Sequence, residues 1–362
     1  PLSHVGAGQT TLTPLALMVA PWLVQQRIVL VEPRRVAVRG AASRMASTLG
    51  EAPGGIVGFR TRTESVISER TRIEVVTEGL LLRRLLSDPL LEGVGAVLFD
   101  EVHERSLDLD ASLAFCLDLQ RELRPNLRIL AMSATPDGRA FTELMNAPLI
   151  ESEGREYPID VRHTRDVPHL RDLPEACARA IRQALAEDDG DILAFLPGVG
   201  EIRRTQALLE GTVLVLPLHG EQASEDQDRA LAPSEQRRVV LATSIAETSV
   251  TVSGVRIVVD GGLRRVPRLD PSTGLSRLET LKVSRATATQ RAGRAGRQSP
   301  GIAIRLWSAT TQRSLRPPAA PQMPVADPTD FALVTPAWQA AMAPSPPPLP
   351  LLHTPPPGLL PR

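Results

Sequence analysis

Residues 94–106, VGAVLFDEVHERS, combine an apolar run with two adjacent carboxylates. The six residues Val94–Phe99 predict a strand that is buried on both faces, as in a parallel sheet. Asp100 and Glu101 follow at the carboxyl end of this strand, which is the edge where open α/β sheets bind ligands. Such a pair can hold Mg²⁺ and orient a water molecule for nucleoside triphosphate hydrolysis. The simpler alternative is a strand that ends in a solvated acidic turn.

The composition favours a soluble chain with two domains of ordinary size. Its 362 residues carry 41 basic and 41 acidic side chains, so any nucleic-acid site must be a local basic patch. The two cysteines, Cys116 and Cys177, are too few and too far apart for a zinc site or a disulfide framework. No apolar run approaches the ~20 residues that a membrane span needs. We therefore expect a cytoplasmic protein without membrane contact.

The amino-terminal stretch HVGAGQTT (4–11) precedes a helical apolar pattern and has the features of a phosphate-binding loop. Small glycines let backbone N–H groups turn towards phosphate oxygens, and a helix N-terminus favours an anion. The hydroxyl of Thr10 is placed to bind Mg²⁺. We therefore predict nucleotide contacts from Gly6, Ala7, Gly8, Gln9, Thr10 and Thr11.

This loop departs from the pattern G-x-x-x-x-G-K-[ST] at two positions. Ser3 stands in place of the first glycine, and Gln9 replaces the lysine that reaches the β- and γ-phosphates. Gln9 brings no positive charge, although charge-assisted hydrogen bonds are about twice as strong as neutral ones. A phosphate loop also normally follows a buried strand, and only residues 1–5 precede these glycines. We expect that strand to be missing, as in a fragment.

Two further strand ends carry residues suited to a nucleic-acid backbone. One predicted strand is followed by EPRR, whose Arg34 and Arg35 can bind phosphates or simply begin a solvated helix. Further along, the sequence TEG joins a β-branched strand to a leucine-rich helix. Its Thr77 and Gly79 suit the approach of a backbone to a phosphate at a helix N-terminus.

A strand at residues 127–132 ends in the sequence SAT. The hydroxyls of Ser133 and Thr135 can hydrogen-bond the carboxylates of the DEVH sequence or His103. Such bonds would relay the state of the nucleotide to a second domain.

A second α/β pattern begins after a proline-broken segment at residues 145–175. Its strand-type runs alternate with helical ones and end in turns, which indicates a second parallel sheet. TSIAETSV (243–250) follows one such strand, and QRAGRAGR (290–297) lies further on. The helical spacing of Arg294 and Arg297 predicts that both guanidiniums lie on one face, where they can stabilise charge on a γ-phosphate. A basic helix that faces solvent or binds RNA is the alternative.

Two further segments, one before this motif and one after it, do not have the alternating α/β pattern. Residues 264–283 predict a hairpin, which is either an ordinary surface hairpin or an element that separates strands. Residues 317–362 contain 15 prolines, a density that argues against a packed helical domain.

Seven motifs occur along the chain in the order phosphate loop, EPRR, TEG, DEVH, SAT, TSIAETS and QRAGRAGR. This series resembles that of the DEAH-box helicases of superfamily 2. The sequence HERSLDLD, which contains the end of the DEVH motif, is similar to the HrpB-like bacterial branch of that family.

The resemblance implies an α/β fold with two tandem RecA-like P-loop NTPase domains, parallel sheets and a nucleotide cleft between them. Residues 1–150 would form the ATP-binding domain, incomplete at its N-terminus, and residues 151–308 the helicase C-terminal domain. The proline content predicts that residues 309–362 are a disordered tail. The implied activity is ATP-dependent unwinding of RNA, or of DNA, or translocation on it, with ATP and Mg²⁺ as cofactors.

The resemblance also implies roles for particular residues. Those with catalytic roles are Asp100, Glu101, His103, Gln290, Arg294 and Arg297. Mg²⁺ would be held by Thr10 and Asp100. Nucleotide contacts beyond the phosphate loop would come from Arg44, Leu231 and Glu247. Contacts to a single-stranded RNA or DNA backbone would come from Arg34, Arg35, Thr77, Gly79 and Thr243. Ser133 and Thr135 would couple hydrolysis to movement.

A second hypothesis is a nucleic-acid-binding or regulatory relic that hydrolyses ATP poorly. Gln9, the missing first strand and the missing C-terminal domains favour it. Loss of one charged phosphate contact costs about 2–4 kcal/mol of transition-state stabilisation, or about 10²–10³ in rate. A third hypothesis is a truncated product that does not fold alone.

Overall fold

The structure, a computed structural model, describes residues 2–3, 9–133, 139–152, 157–167, 169–247, 252–270, 273, 275–297, 299–316, 329–342 and 349–352. The chain forms two compact units. The first contains Pro1–Gly154 together with Pro321–Arg362, and the second contains Arg155–Ala320. The change from one unit to the other falls at residues 154 and 155, against the predicted 150 and 151.

Strands and helices alternate along the first unit, as the hydrophobic patterning of the sequence predicts. Its elements are β1 Leu2–Ser3, α1 Gln9–Leu17, β2 Arg27–Glu32, α2 Arg35–Thr48, β3 Val57–Arg60, β4 Ser65–Val66, β5 Ile73–Thr77, α3 Glu78–Ser87, β6 Val94–Phe99, α4 Leu107–Glu122, β7 Arg128–Ala131, α5 Arg139–Met145 and β8 Glu151–Ser152. A 3₁₀ turn, Val102–Glu104, lies between β6 and α4.

The main sheet of the first unit has the strand order β4-β3-β5-β2-β6-β7. All neighbouring strands are parallel except β3 and β4. Alternate residues of the central strand β2 pack into different cores: Val29 and Val31 face α3 and α4, whereas Ile28 and Leu30 face α2. Continuous apolar runs such as VGAVLF therefore mark strands with both faces covered.

A short strand does precede the phosphate loop. β1 pairs in parallel with β8, in a two-stranded sheet distinct from the six-stranded one. The sequence did not predict β1, but β1 lies outside the six-stranded sheet and so is not the buried strand that we expected to be missing. The signal was weak because a strand of two residues leaves no readable pattern of alternation.

The second unit repeats the alternation around a six-stranded sheet. Its elements are β9 Ile159–His163, α6 Leu173–Glu187, β10 Asp191–Phe195, α7 Val199–Leu208, β11 Leu214–Leu218, α8 Ser224–Leu231, β12 Arg238–Ala242, β13 Val255–Asp260, β14 Leu263–Asp270, β15 Leu275–Lys282, α9 Arg285–Ala292, β16 Gly301–Arg305 and α10 Ala309–Ser314. The sheet has the order β11-β12-β10-β13-β16-β9 and is parallel throughout. The predicted α/β class with parallel sheets is confirmed in both units.

The predicted hairpin is present as the antiparallel pair β14 and β15, in register from Leu263 opposite Lys282 to Asp270 opposite Leu275. β11 is an edge strand, which explains how it accommodates Pro217, since a proline cannot donate to a neighbouring strand. In the part of the chain that the structure describes, no helix is long and apolar enough to cross a membrane.

The proline-rich tail contains helical segments, so the expectation of disorder over residues 309–362 is wrong in part. α10 covers Ala309–Ser314, and a further helix, α11, covers Thr329–Met342 and packs on α3 and α4. The indole of Trp338 is fully buried and stacks on Phe115, with ring centroids 4.6 Å apart. Its Nε1 donates to Asp118 Oδ2 at 3.0 Å. Apolar burial and one buried hydrogen bond therefore offset the low helix propensity of a segment that contains Pro336.

This packing makes Trp338 a test of α11 docking. Trp338→Ala should lower the free energy of unfolding of the first unit by about 3–5 kcal/mol, because it leaves a cavity beside Phe115 and a buried Asp118 with one donor fewer. The measurement is urea denaturation followed by circular dichroism. Leu333→Ala, at a side chain 68% exposed on the same helix, is the matched control and should change stability little. Equal stability of the two variants would contradict the docking.

Candidate nucleotide and nucleic-acid sites

The DEVH turn is held at the carboxyl end of β6 in a constrained backbone conformation. The N–H of Asp100 donates to the carbonyl of Val31 at 3.0 Å, so the turn begins as the strand pairing ends. Glu101 and Arg105 flank the 3₁₀ turn and both adopt left-handed conformations, with φ of 51° and 53°. Non-glycine residues in this region cost about 1–3 kcal/mol each and cluster at active sites. Asp100 and Glu101 are both buried, which argues against a solvated acidic turn.

The phosphate-loop helix and the DEVH turn meet at one hydrogen bond. Thr10 lies in the first turn of α1, and its hydroxyl donates to Asp100 Oδ2 at 2.5 Å. The other carboxylate oxygen of Asp100 accepts the N–H of Glu101 at 2.8 Å. The structure therefore brings together the two residues that the resemblance assigns to Mg²⁺.

Burial changes the pKa of Asp100. Removal from water, together with the charge of Glu101, raises the pKa of Asp100 to about 7, although hydrogen bonds from Thr10 and the backbone and one with Glu32 act in the opposite direction. Glu32 is itself fully buried at the end of β2. Three carboxyl groups thus lie close together at the carboxyl edge of the sheet.

These residues fit a bound Mg²⁺. The cation prefers oxygen ligands and commonly takes one or two protein carboxylates together with substrate phosphates. Thr10 supplies a hydroxyl and Asp100 a carboxylate, and a divalent cation there would favour the charged form of a carboxyl whose pKa burial has raised. In the described residues no group of three or more His, Cys, Asp or Glu side chains could hold a metal alone. A site completed by substrate phosphates needs no such group.

His103 connects the DEVH turn to the SAT strand. Its Nδ1 lies 3.3 Å from Ser133 Oγ and 3.5 Å from Glu101 Oε2. The predicted contact between the serine hydroxyl and His103 is therefore present, and it brings the ends of β6 and β7 together. Thr135, the other predicted coupling residue, lies outside the described residues.

The candidate nucleic-acid residues of the first unit lie beside an acidic group of side chains. Arg34 precedes α2 and forms an ion pair with Glu104, at 3.3 Å from Oε2. Thr77 ends β5 and Gly79 lies in the first turn of α3, both half-buried. A Cβ at Gly79 would stand 2.9 Å from Asp108 Oδ2, so a larger residue here would have to displace that carboxylate.

Glu78, between these two residues, is buried as a carboxylic acid. Burial raises its pKa to about 8, against an opposing hydrogen bond from the hydroxyl of Ser106, and nearby Glu104 and Asp108 raise it further while Arg34 lowers it. Its Oε1 is buried and has no hydrogen-bond partner in the described residues. Glu78 is therefore largely protonated at neutral pH.

The second unit carries a buried ion network at TSIAETS and QRAGRAGR. Arg291 is fully buried on α9, where its Nε donates to Glu247 Oε1 at 2.9 Å and its Nη1 to Asp260 Oδ1 at 2.6 Å. Its guanidinium also lies over the ring of Phe195, 4.8 Å from the centroid. The guanidinium of Arg294 donates to the carbonyl of Glu247. Hydrogen bonds to the side chain of Glu247 and to its backbone carbonyl therefore connect the two motifs.

The two candidate arginine fingers do not lie on a helix, so that expectation is wrong. α9 ends at Ala292, and residues 293–297 form successive turns in which the N–H of Arg294 bonds to the carbonyl of Arg291 at 3.1 Å. Glycine at positions 293 and 296 favours turns over helix. At Gly296 a Cβ would stand 2.9 Å from the carbonyl of Tyr157, so the tight turn needs glycine. Arg294 is buried and Arg297 is half-buried.

The remaining predicted residues are placed singly rather than as a group. Arg35 begins α2 and Arg44 lies further along it, both exposed. Leu231 ends α8, half-buried. The other half-buried positions are Thr11, Thr243 and Gln290. Gly6, Ala7 and Gly8 lie outside the described residues, and of Gln9 only the backbone, in α1, is described.

Sequence reasoning missed three charged residues at these sites: Glu32, Glu104 and Arg291. Glu32 carried a readable signal, since it ends a buried strand just as Asp100 does. Arg291 also carried one, because it belongs to the QRAGRAGR motif, but its buried position shows only in the fold. The partner of Glu104 lies 70 residues away, so no local pattern predicted it.

Comparisons with known proteins find similarity to helicases. The family "Helicase conserved C-terminal domain" matches residues 174–299. The chain is 48% identical over 308 residues to the ATP-dependent RNA helicase HrpB of Escherichia coli, across 83% of this chain and 38% of that protein. It is 38% identical to HrpA of the same organism, across 84% of this chain and 24% of that protein. The probable ATP-dependent RNA helicase DHR2 of Saccharomyces cerevisiae is 34% identical, across 92% of this chain and 48% of that protein.

A solved structure supports the same assignment. The crystal structure of Escherichia coli DEAH/RHA helicase HrpB superposes with a TM-score of 0.89 at 42% identity, covering 98% of this chain and 46% of that chain. Over most of its length the chain is therefore similar to the HrpB-like DEAH-box helicases, and its α/β fold matches that of the solved HrpB structure. It spans less than half the length of the curated relatives that it matches.

The buried acid at Glu78 generates a pH-dependent prediction. Between its ordinary pKa of 4.5 and about 8, the folded protein holds a proton that the unfolded chain has lost, so wild-type stability should fall as the pH rises. Glu78→Gln removes this dependence. The wild type should therefore lose up to about 1.4 kcal/mol of stability per pH unit relative to the variant within that window.

Urea denaturation at a series of pH values measures this difference. Glu92→Gln, at an exposed position of the same unit, is the control. Parallel stability curves for wild type and Glu78→Gln would show that Glu78 is ionised in the folded protein.

Proposed function

We propose that this chain is the motor portion of an ATP-dependent RNA helicase, which couples nucleoside triphosphate hydrolysis to translocation on RNA or to its unwinding. The observation that carries the proposal is the hydrogen bond between Thr10 and Asp100, which joins a helix after a glycine-rich loop to a buried acid pair. The names of HrpB and HrpA as ATP-dependent RNA helicases support RNA as the substrate. DNA remains the second candidate strand.

The first unit would provide the hydrolytic chemistry. Thr10 and Asp100 would hold Mg²⁺, which supplies positive charge to the phosphates when it is bound. Glu101, buried beside Asp100, would orient the attacking water and accept its proton. Backbone N–H groups of residues 6–11 would bind the phosphates. The side chain of Arg44 would contact the base, a role that we also propose for Leu231 of the second unit.

The second unit would contribute positively charged side chains and the hydrogen-bond network that holds them in place. Arg294 and Arg297 would stabilise the charge that develops on the γ-phosphate, and Gln290 would help to position the reacting groups. The carboxylate of Glu247 is bound to Arg291, so we propose that it acts on the nucleotide mainly by holding this arginine network in place.

The nucleic acid would be bound through its backbone. Arg34 and Arg35 would contact phosphates, and Thr77, Gly79 and Thr243 would offer hydroxyl or backbone donors. Contacts of this kind carry no sequence information, which suits a motor that moves along any sequence. The contact between His103 and Ser133 supports a role in coupling hydrolysis to this grip, together with Thr135.

The experiment that tests the proposal is phosphate release from ATP and Mg²⁺ with and without single-stranded RNA. RNA should stimulate wild-type turnover, and Glu101→Gln should lower turnover by about 10²–10⁴-fold, because the variant cannot accept the proton of the attacking water. Glu122→Gln, at an exposed end of α4, is the matched control. Equal turnover by wild type and Glu101→Gln would contradict the assigned site.

Gln9 favours a second candidate function, a nucleic-acid-binding protein with weak or no ATPase activity. Its amide brings no charge to the β- and γ-phosphates. We therefore expect low turnover by wild type and an increase of about 10²-fold on Gln9→Lys, the reverse of losing one charged transition-state contact. Single-turnover ATP hydrolysis measures this change. Robust wild-type turnover would contradict the impairment, and a silent Gln9→Lys variant would place the defect elsewhere in the chain.

A further inference from the structure

The ion pair between Arg34 and Glu104 joins the EPRR motif to the DEVH turn. The guanidinium Nη2 of Arg34 lies 3.3 and 3.4 Å from the two carboxylate oxygens of Glu104. Arg34 follows β2 and Glu104 follows β6, and these two strands are neighbours in the sheet. The side chains are 26% and 20% exposed, so the pair is shielded yet within reach of a ligand at the surface.

Glu104 lies in the 3₁₀ turn between two residues in left-handed conformations, Glu101 and Arg105. It closes the 3₁₀ turn, where its N–H donates to the carbonyl of Glu101 at 2.8 Å. His103, which contacts Ser133, is the residue before it. The hydrogen-bonded turn therefore connects Glu104 directly to Glu101, the residue proposed as the catalytic base.

The charges around Arg34 oppose a second anion. Glu104 and Asp108 act electrostatically on Glu78, and so does Arg34 with opposite sign, so all four side chains lie in one polar group. The group therefore contains three carboxyl groups, those of Glu78, Glu104 and Asp108, and a single guanidinium. A phosphate that approaches Arg34 meets the repulsion of Glu104 unless that carboxylate moves away.

We propose that Glu104 is a positioning residue that competes with an RNA phosphate for Arg34, so that RNA binding displaces Glu104 and moves the DEVH turn. The inference rests on the proposed function, since it requires Arg34 to contact the RNA backbone. It goes further by making the strength of that contact depend on an acid in the hydrolytic motif. The same ion pair then restrains the turn when RNA is absent.

A double-mutant cycle on the full chain tests the competition. Fluorescence anisotropy of a labelled single-stranded oligouridine gives the dissociation constant for wild type, Glu104→Gln, Arg34→Gln and the double variant. Glu104→Gln should tighten binding by about 3- to 5-fold, the equivalent of a partly exposed ion pair. In the Arg34→Gln background the same change should have no effect. Glu122→Gln, which removes an exposed acid of the same unit, should leave the dissociation constant unchanged.

Amide hydrogen exchange on the wild-type chain tests the displacement of Glu104 without any substitution. RNA should accelerate exchange at the Glu104 amide, because displacement of its side chain loosens the 3₁₀ turn, while amides of β10 in the second unit stay protected. An amide that exchanges at the same rate or more slowly with RNA would overturn the inference. So would an unchanged or weaker affinity of Glu104→Gln when the wild type binds the oligouridine. If neither protein binds it, the proposed function fails as well, and the two failures are thereby distinguished.

Discussion

Parallel pairing of β2 with β5 and β6 is the constraint on which the first site depends. The register places Glu32 opposite Thr77 and Val31 opposite Phe99, so three chain segments end at the same level of the sheet. Everything that follows these strands, including Arg34, Glu78 and Asp100, is then brought to one edge. Packing of apolar side chains on both faces fixes this register, because a slip by one residue would turn each strand over. The chemistry of the edge is thus determined by the core beneath it.

Charge burial in the two units follows opposite patterns. In the second unit Arg291 has no exposure but meets two carboxylates, and a buried charge that is paired and hydrogen-bonded can be tolerated. At the edge of the first sheet the acids lie together, and burial moves the pKa of Asp100 and of Glu78 towards or above neutrality. The first pattern makes a rigid support. The second makes groups whose charge depends on what binds beside them.

The sequence predicted the parts of this molecule whose signal is local. The run VGAVLF predicted a strand buried on both faces. Asp100 and Thr10 could be predicted as Mg²⁺ ligands because each belongs to a short motif. What sequence did not predict depends on distant partners. The ion pair of Arg34 with Glu104 and the stack of Trp338 on Phe115 join segments far apart in the chain.

Local rules also misled at two places. Prolines in the C-terminal region argued against packed helix, but burial of Trp338 outweighs that preference in α11. The spacing of Arg294 and Arg297 suited a helix face, yet the glycines between and before them end the helix at Ala292. In both cases a tertiary contact or a backbone preference decided against the periodicity.

The position of α11 has a consequence for the order in which the protein is made. Phe115 and Asp118 are synthesised early, whereas the indole that covers them is separated from them by the whole of Arg155–Ala320. A ribosome releases residues from the amino terminus onwards, so the first unit emerges with an apolar strip of α4 uncovered while the second unit is still being translated. Packing against that strip is therefore completed only when α11 has been synthesised, and nascent chains would need protection of the strip in the interval.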